Sequence, residues 1–169
     1  MKITLDWKDS EGTGFTDVGW ALKYDGSISS DDAIEIDIGS NRLKVTGSLS
    51  SKLHIVASGA IDADGAIEAG LGIKAGGDIV SGSGIEAGGD VVSAGDIVAG
   101  TAIDAGLGIK ASCSIGAHGS INAGKGIEAG FEIWAGRNIN AREGIKSSWG
   151  IGAGGDIVAG GAIDAKRVR

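Results

Sequence analysis

Between residues 60 and 167 the chain repeats a six-residue unit eighteen times without an insertion. The copies run AIDADG, AIEAGL, GIKAGG, DIVSGS and onward to AIDAKR. The second position is Ile in seventeen copies and Val91 in the other; the fourth is Ala or Ser in all eighteen; the fifth is usually Gly. A short fixed period marks a solenoid, whose units bury their apolar faces by stacking on one another. Alternate side chains of a strand point to opposite faces. Ile61 and Ala63 therefore face inward and Asp62 outward. Glycine is expected to supply the backbone freedom that a corner demands. Three strand-plus-corner units close a triangular coil of 18 residues, and GDIV at 77–80 returns at 95–98, one coil later. AIEAGLGIKA at 66–75 returns as AIDAGLGIKA at 102–111, two coils later. A helix needs apolar residues at steps of three and four, and a collagen-like chain needs abundant proline, of which there is none.

The predicted fold is all-β, a single-stranded, three-sided parallel β-helix. Residues 42–59 keep the same phase imperfectly through Leu43/Val45, Leu49/Ser51 and Ile55/Ala57, so residues 42–169 form six to seven coils. Residues 1–41 lack the repeat. Ile3, Leu5 and Trp7 alternate with polar residues, as do Ile34, Ile36 and Ile38, which predicts two strands. Ser10 to Gly14 and Asp25 to Gly26 predict turns. An open solenoid end is a sheet edge with an uncovered core, so 1–41 reads as an N-terminal β-rich cap, with Trp7 and Trp20 in its interior. Lys166, Arg167, Val168 and Arg169 end the chain with no cap, so a homodimer through the C-terminal coils is expected, with the like charges of the tail opposing it.

The net charge of −7 lies unevenly along the repeat. Residues 60–107 carry eight acids and one base, whereas 108–167 carry five acids and seven bases. Positions 18 apart stack into outward columns. One column is Glu68, Glu86, Asp104, Asn122, Asn140 and Val158; a second is Asp62, Val80, Val98, Gly116, Trp134 and Gly152; the third is Lys74, Val92, Lys110, Glu128, Lys146 and Asp164. These are expected to be solvated sheet faces. The aromatic residues of the second half fit a core poorly. Phe131 and Trp149 are one coil apart at a corner, with Trp134 on the adjoining face and Arg137 nearby, and Trp and Arg are enriched where partners bind. They could equally clamp neighbouring coils. The candidate partner-binding residues are Glu68, Glu86, Asp104, Asp78, Asp96, Phe131, Trp134, Trp149 and Arg137.

Chemistry is harder to place. Cys113 is the only cysteine, which excludes a disulfide framework. Cys113 and His118 are too few for a metal site, which wants three or four ligands. The carboxylate columns would lie on open walls, whereas active sites need concavity. No catalytic residue, metal or cofactor is expected, and the chain is read as a non-enzyme. No apolar run reaches transmembrane length, and MKITLDWKD is too charged for a secretory signal. Residence in a cytoplasm is expected, that of a host if the gene is a phage's.

The small residue two positions after each Ile, and the bulky Leu71, Lys125, Phe131, Arg137, Glu143 and Trp149 two positions before, set the chain apart from the hexapeptide acyltransferases. GDIVAGGAIDA resembles the bactofilins, cytoskeletal polymers built as triangular β-helices; that resemblance implies end-to-end self-assembly. In shape and acidity the rod is similar to pentapeptide-repeat proteins that occupy DNA sites on gyrase. The expected function is a non-catalytic, protein-binding solenoid: an acidic inhibitor or adaptor, of phage or mobile-element type. It would engage a nucleic-acid-handling complex without binding nucleic acid or membrane itself. The alternative is a bactofilin-like structural element.

Overall fold

The computed structural model of the protein describes residues 3–6 and 14–169, with side chains from residue 14 onward. Trp7, and the loop expected from Ser10 to residue 13, lie outside the described residues. Among the described residues there are twenty-seven short strands and no helix. The first six are β1 (Ile3–Asp6), β2 (Phe15–Asp17), β3 (Ala21–Tyr24), β4 (Ile28–Ser30), β5 (Ile34–Asp37) and β6 (Arg42–Val45). Strands β7 to β27 follow at close to six-residue spacing, from Leu49–Ser51 to Arg167–Val168.

Every third strand pairs in parallel, giving three sheets. Wall A has nine strands and runs from β1 and β5 through Ile73–Ala75 to Ile163–Asp164. Wall B has ten and runs from β2 and β3 through Ile79–Ser81 to Arg167–Val168. Wall C has eight and runs from β4 through Ile85–Ala87 to Ile157–Ala159. The chain is thus a triangular β-solenoid of eight turns. A strand spacing of about 4.8 Å makes the rod roughly 38 Å long. The register is 18 residues from Leu43↔Ile61 onward, except at the last strand, where Ile151 faces Val168 at a shift of 17, so the three predicted outward columns are real ladders: Glu68↔Glu86↔Asp104, Val80↔Val98↔Gly116 and Val92↔Lys110↔Glu128 all face across neighbouring strands.

The Ile column fills the interior. From Ile61 to Ile151 its members are at most 1 % exposed, and up to Ser147 the Ala or Ser two residues later is buried beside them. The Ser variants are clips. Ser93 Oγ lies 2.8 Å from the Gly77 carbonyl and accepts the Gly95 N–H at 2.9 Å, and Ser81 and Ser147 repeat the pattern. Corner backbone groups are satisfied between coils, Ile61 N–H donating to Asp78 O at 2.8 Å and Ile79 N–H to Asp96 O at 2.9 Å.

The corner glycines serve a different purpose from the one expected. The described glycines with positive φ are Gly14, Gly19, Gly26 and Gly39, all before the repeat. Within it, a Cβ on Gly82, Gly88, Gly106 or Gly124 would overlap the carbonyl oxygen of the residue 18 positions earlier. Absence of bulk, rather than access to left-handed backbone, is what the fifth position requires. The N–H to the coil below spans 3.2 Å at Ala94 and 3.3 Å at His118 and Arg142, against 2.8 Å at Gly82 and Gly106 and 3.1 Å at Gly130 and Ser112. Asp64, over a less regular coil, keeps 2.9 Å.

Of the segment assigned to a cap, residues 21–41 form a coil. β3, β4 and β5 pair in parallel with β6, β7 (Leu49–Ser51) and β8 (Ile55–Ala57), but at a shift of 21, Leu22 facing Leu43 and Ile28 facing Leu49. The three extra residues fall in the turn after β5, where Gly39 has φ 58° and Asn41 N–H returns to Ile38 O at 3.1 Å. Beyond that coil, β1 extends wall A and β2 folds back antiparallel on β3. Phe15 and Tyr24 pack at 4.9 Å between centroids. Trp20 is 63 % exposed; it flanks the hairpin turn instead of filling a core. At the far end Ile163 and Val168, in the last coil, are 40 % and 53 % exposed.

Lys44 on wall B sits between Asp64 and Asp62, with Asp62 at 2.9 Å. Burial pulls its ammonium pKa down, but hydrogen bonds and charge from Asp64 and Asp62 outweigh it, and the net shift is upward. A raised lysine stabilises fully below its unfolded value of about 10.4 and loses that contribution as pH rises through the folded value. The thermal-midpoint difference between wild type and Lys44→Met is therefore expected to be constant from about pH 7 to 9 and to shrink above about 10.5. A difference that instead grows on alkalinisation contradicts this.

Candidate interaction surfaces

Three edges separate the walls, and they sort the candidate residues. Glu68, Glu86 and Asp104 stand on wall C. Asp78, Asp96, Phe131 and Trp149 lie along the A–B edge, the acids toward the N-terminal end. Trp134 is on wall B, and Arg137 is on the B–C edge. In a triangle the A–B edge is opposite wall C. The fold therefore sets the acidic column of wall C opposite the A–B edge that carries Asp78, Asp96, Phe131 and Trp149, while Arg137 borders wall C beside Asn122. One flat partner cannot meet both wall C and the A–B edge.

The acidic residues differ in their freedom. Asp78 Oδ1 accepts the Asp96 N–H at 2.9 Å, and Asp96 Oδ1 accepts the Ser114 N–H at 2.7 Å, so each carboxylate holds the corner of the next coil. Asp62 and Asp78 also pair with Arg42 at 3.1 and 3.4 Å. Counting charge along the repeat alone misses Arg42 and Lys44, which lie just ahead of it and neutralise part of its acidic half. Asp104 accepts Asn122 Nδ2–H at 2.7 Å, and Asn140 donates to Asn122 in turn. Glu68 and Glu86 face each other across neighbouring strands, exposed, with no ion pair among the described residues.

Phe131 and Trp149 stack at 5.7 Å with an 11° interplanar angle. Lys166 and Arg167 lie 5.5 Å from the Trp149 ring. Phe131 belongs to the coil before Trp149 and Arg167 to the coil after it, so aromatic, aromatic and guanidinium form a ladder along the A–B edge. Ser147 fixes its geometry, its Oγ lying 2.6 Å from Phe131 O. The clamping of neighbouring coils, one of the two readings of these aromatics, is thus present, and Arg167 adds a cationic end that the spacing of Phe131 and Trp149 does not indicate. An offset aromatic pair contributes about 0.5–1.5 kcal/mol beyond burial. Both rings remain exposed, at 52 % and 41 %.

Trp134 lies along the rod. Its Cε3 edge is 4.0 Å from where a Cβ on Gly116 would stand, and its Cδ1 edge 3.8 Å from one on Gly152. The indole thus spans the wall between Gly116 and Gly152, where a Cβ would still meet it at ordinary van der Waals distance. His118 meets its edge at 5.7 Å and 88°. Between Trp134 and Trp149 a hollow of about 230 Å³ is floored by Gly150 and Gly152 and bordered by Glu132, Arg167 and Arg169.

Cys113 is exposed. Among the described residues no three His, Cys, Asp or Glu side chains gather as a metal would require. No helix there is long and apolar enough to cross a membrane. Comparison with family profiles, with curated proteins and with solved structures finds no match for this chain.

Proposed function

We propose that the protein is a non-catalytic binding rod whose wall C docks on a cationic surface of a partner protein. The observation that carries this is the Glu68–Glu86–Asp104 ladder. Like charges directly opposite on neighbouring strands destabilise a sheet, and Glu68 and Glu86 lack a compensating cation. Asp62, Asp78 and Asp96 brace corners or pair with Arg42 and Lys44; these three face solvent and do neither. A flat wall gives no water-excluding cleft, which favours recognition over catalysis. An adaptor, or an inhibitor covering the basic nucleic-acid groove of its target, uses such a wall directly, through electrostatic complementarity.

The test is affinity capture from extract with wild-type rod and with the triple variant Glu68→Gln, Glu86→Gln, Asp104→Asn. Salt-sensitive capture by wild type alone is expected, and duplex DNA added in excess should compete if the target groove normally holds nucleic acid. Equal capture by both rods would refute the reading. The self-assembling alternative draws on the uncovered C-terminal coil. At the N-terminal end, however, walls A and B finish on β1 and on the antiparallel β2, so head-to-tail stacking of coils would be continuous only on wall C. Filaments in sedimentation velocity would favour that alternative.

A further inference from the structure

Wall B differs from its neighbours. Wall A presents Lys74, Lys110, Glu128 and Lys146 outward, and wall C presents Glu68, Glu86 and Asp104. The middle of wall B presents Val80, Val98, Gly116 and Trp134, with no charge among them. Val98 is 40 % and Trp134 45 % exposed. An apolar centre with a polar rim is the anatomy of a protein interface.

We propose that wall B is where two copies of this chain pair, side by side and pointing the same way, about a two-fold axis parallel to the rod. An isologous interface must be complementary to itself, and the rim of wall B is. Under this symmetry each coil meets the same coil of the other copy, and the A–B edge of one faces the B–C edge of the other at the same height. Glu132 on the first edge then meets Arg137 on the second, twice. Asp96, whose Oδ1 is used within the rod, meets the Thr101 hydroxyl. Ser114 meets Gly119. Along the axis Val98 faces Val98, and the flat outer face of each Trp134 indole meets its counterpart. With the rods antiparallel, the A–B edges would face each other and bring Asp96 toward Glu132. The charge pattern therefore selects the parallel arrangement.

The same geometry explains how a chain of net charge −7 could self-associate: the free acids of wall C stay outside the contact. The uncharged stretch from Val80 to Gly152 spans five coils, about 24 Å long and roughly 15 Å wide, or about 360 Å² per copy, below the ~800 Å² of a standard stable interface. The pair is thus expected to dissociate readily.

Sedimentation equilibrium of the full chain up to about 1 mM, the weak limit of measurable association, tests this. Wild type is expected to show a reversible dimer. Trp134→Ala is expected to raise its Kd by about thirtyfold or more, as for a central aromatic anchor. Arg137→Glu and Glu132→Arg should each weaken it by about tenfold, and the two together should restore it to near wild type. Val98→Lys, on an exposed position, gives a second disruption that leaves the core untouched. Circular dichroism confirms that each variant is folded. Ile163→Asp, at the bare last coil, should leave the dimer unchanged. A monomeric wild type at about 1 mM, a double charge swap that restores nothing, or a dimer abolished by Ile163→Asp would each overturn the proposal. The Glu68/Glu86/Asp104 variant should dimerise normally, so failure of wall C binding and failure of this pairing are separable.

Discussion

Ile97→Ala is expected to remove about 2–5 kcal/mol of folding free energy, the range for truncating a buried aliphatic side chain to alanine. Ile97 is 0 % exposed and sits mid-rod between Ile79 and Ile115. The site cannot collapse cheaply. Its neighbours in the column are Ile, apart from Val91 on wall A, held in the same register, and each is fixed by coil-to-coil bonds such as Ile97 N–H to Ser114 O at 2.9 Å. In a solenoid each coil touches only the adjacent ones, so the cavity weakens the junction between two halves of the rod. Urea denaturation should show the midpoint falling, with a first transition separating if the halves uncouple. Ile163→Ala, at the exposed end, should cost far less. Equal losses at the two sites would mean that the interior column is not what holds the coils together.

Gly106→Val is the second large effect. A Cβ at Gly106 would overlap Gly88 O, and the coil above repeats the crowding, since a Cβ on Gly124 would overlap Gly106 O. Forcing bulk into a packed contact typically costs about 1–3 kcal/mol, occasionally more. Gly106→Ala should be milder, because Ala94 occupies the same corner position with its coil-to-coil bond at 3.2 Å. Gly106→Asn separates the two accounts of the glycine. If the corner needed left-handed backbone, Asn would be tolerated better than Ala. If it needs the absence of side-chain volume, Asn should be worse than Ala. Thermal denaturation of the three variants reads the order directly.

The repeat makes most of the fold legible in advance. Ile every sixth residue with Ala or Ser two later states both which side chains go inside and how many residues make a turn, so the 18-residue ladders and the outward columns follow. The first coil escapes for a definite reason. Leu22, Ile28 and Ile34 share the six-residue step, but three residues inserted at 38–41 put them out of phase with Leu43. A pattern counted forward from residue 42 therefore starts one turn late, and Trp20, expected in the interior of a cap, stands 63 % exposed. The function of the corner glycines is equally invisible in one dimension. Backbone freedom and close approach both ask for glycine, and only the neighbouring carbonyl distinguishes them. The candidate surface is legible as a list of residues but not as a shape. Spacing places Glu68 and Trp134 on different walls; it takes the closed triangle to show that the acidic ladder and the Phe131–Trp149 stack look in opposite directions.

The 18-residue register that holds between the first and last coils has a consequence for how such a molecule can change its dimensions. Because adding or deleting one coil leaves every other pairing intact, overall size comes in discrete increments of about 4.8 Å. The separation between the Arg42–Lys44 cluster near one end and the Phe131–Trp149 ladder near the other is then set by a count of turns, like marks on a ruler. Gene-level gain or loss of 54 nucleotides, three per residue of a coil, would move those two features apart or together without redesigning either.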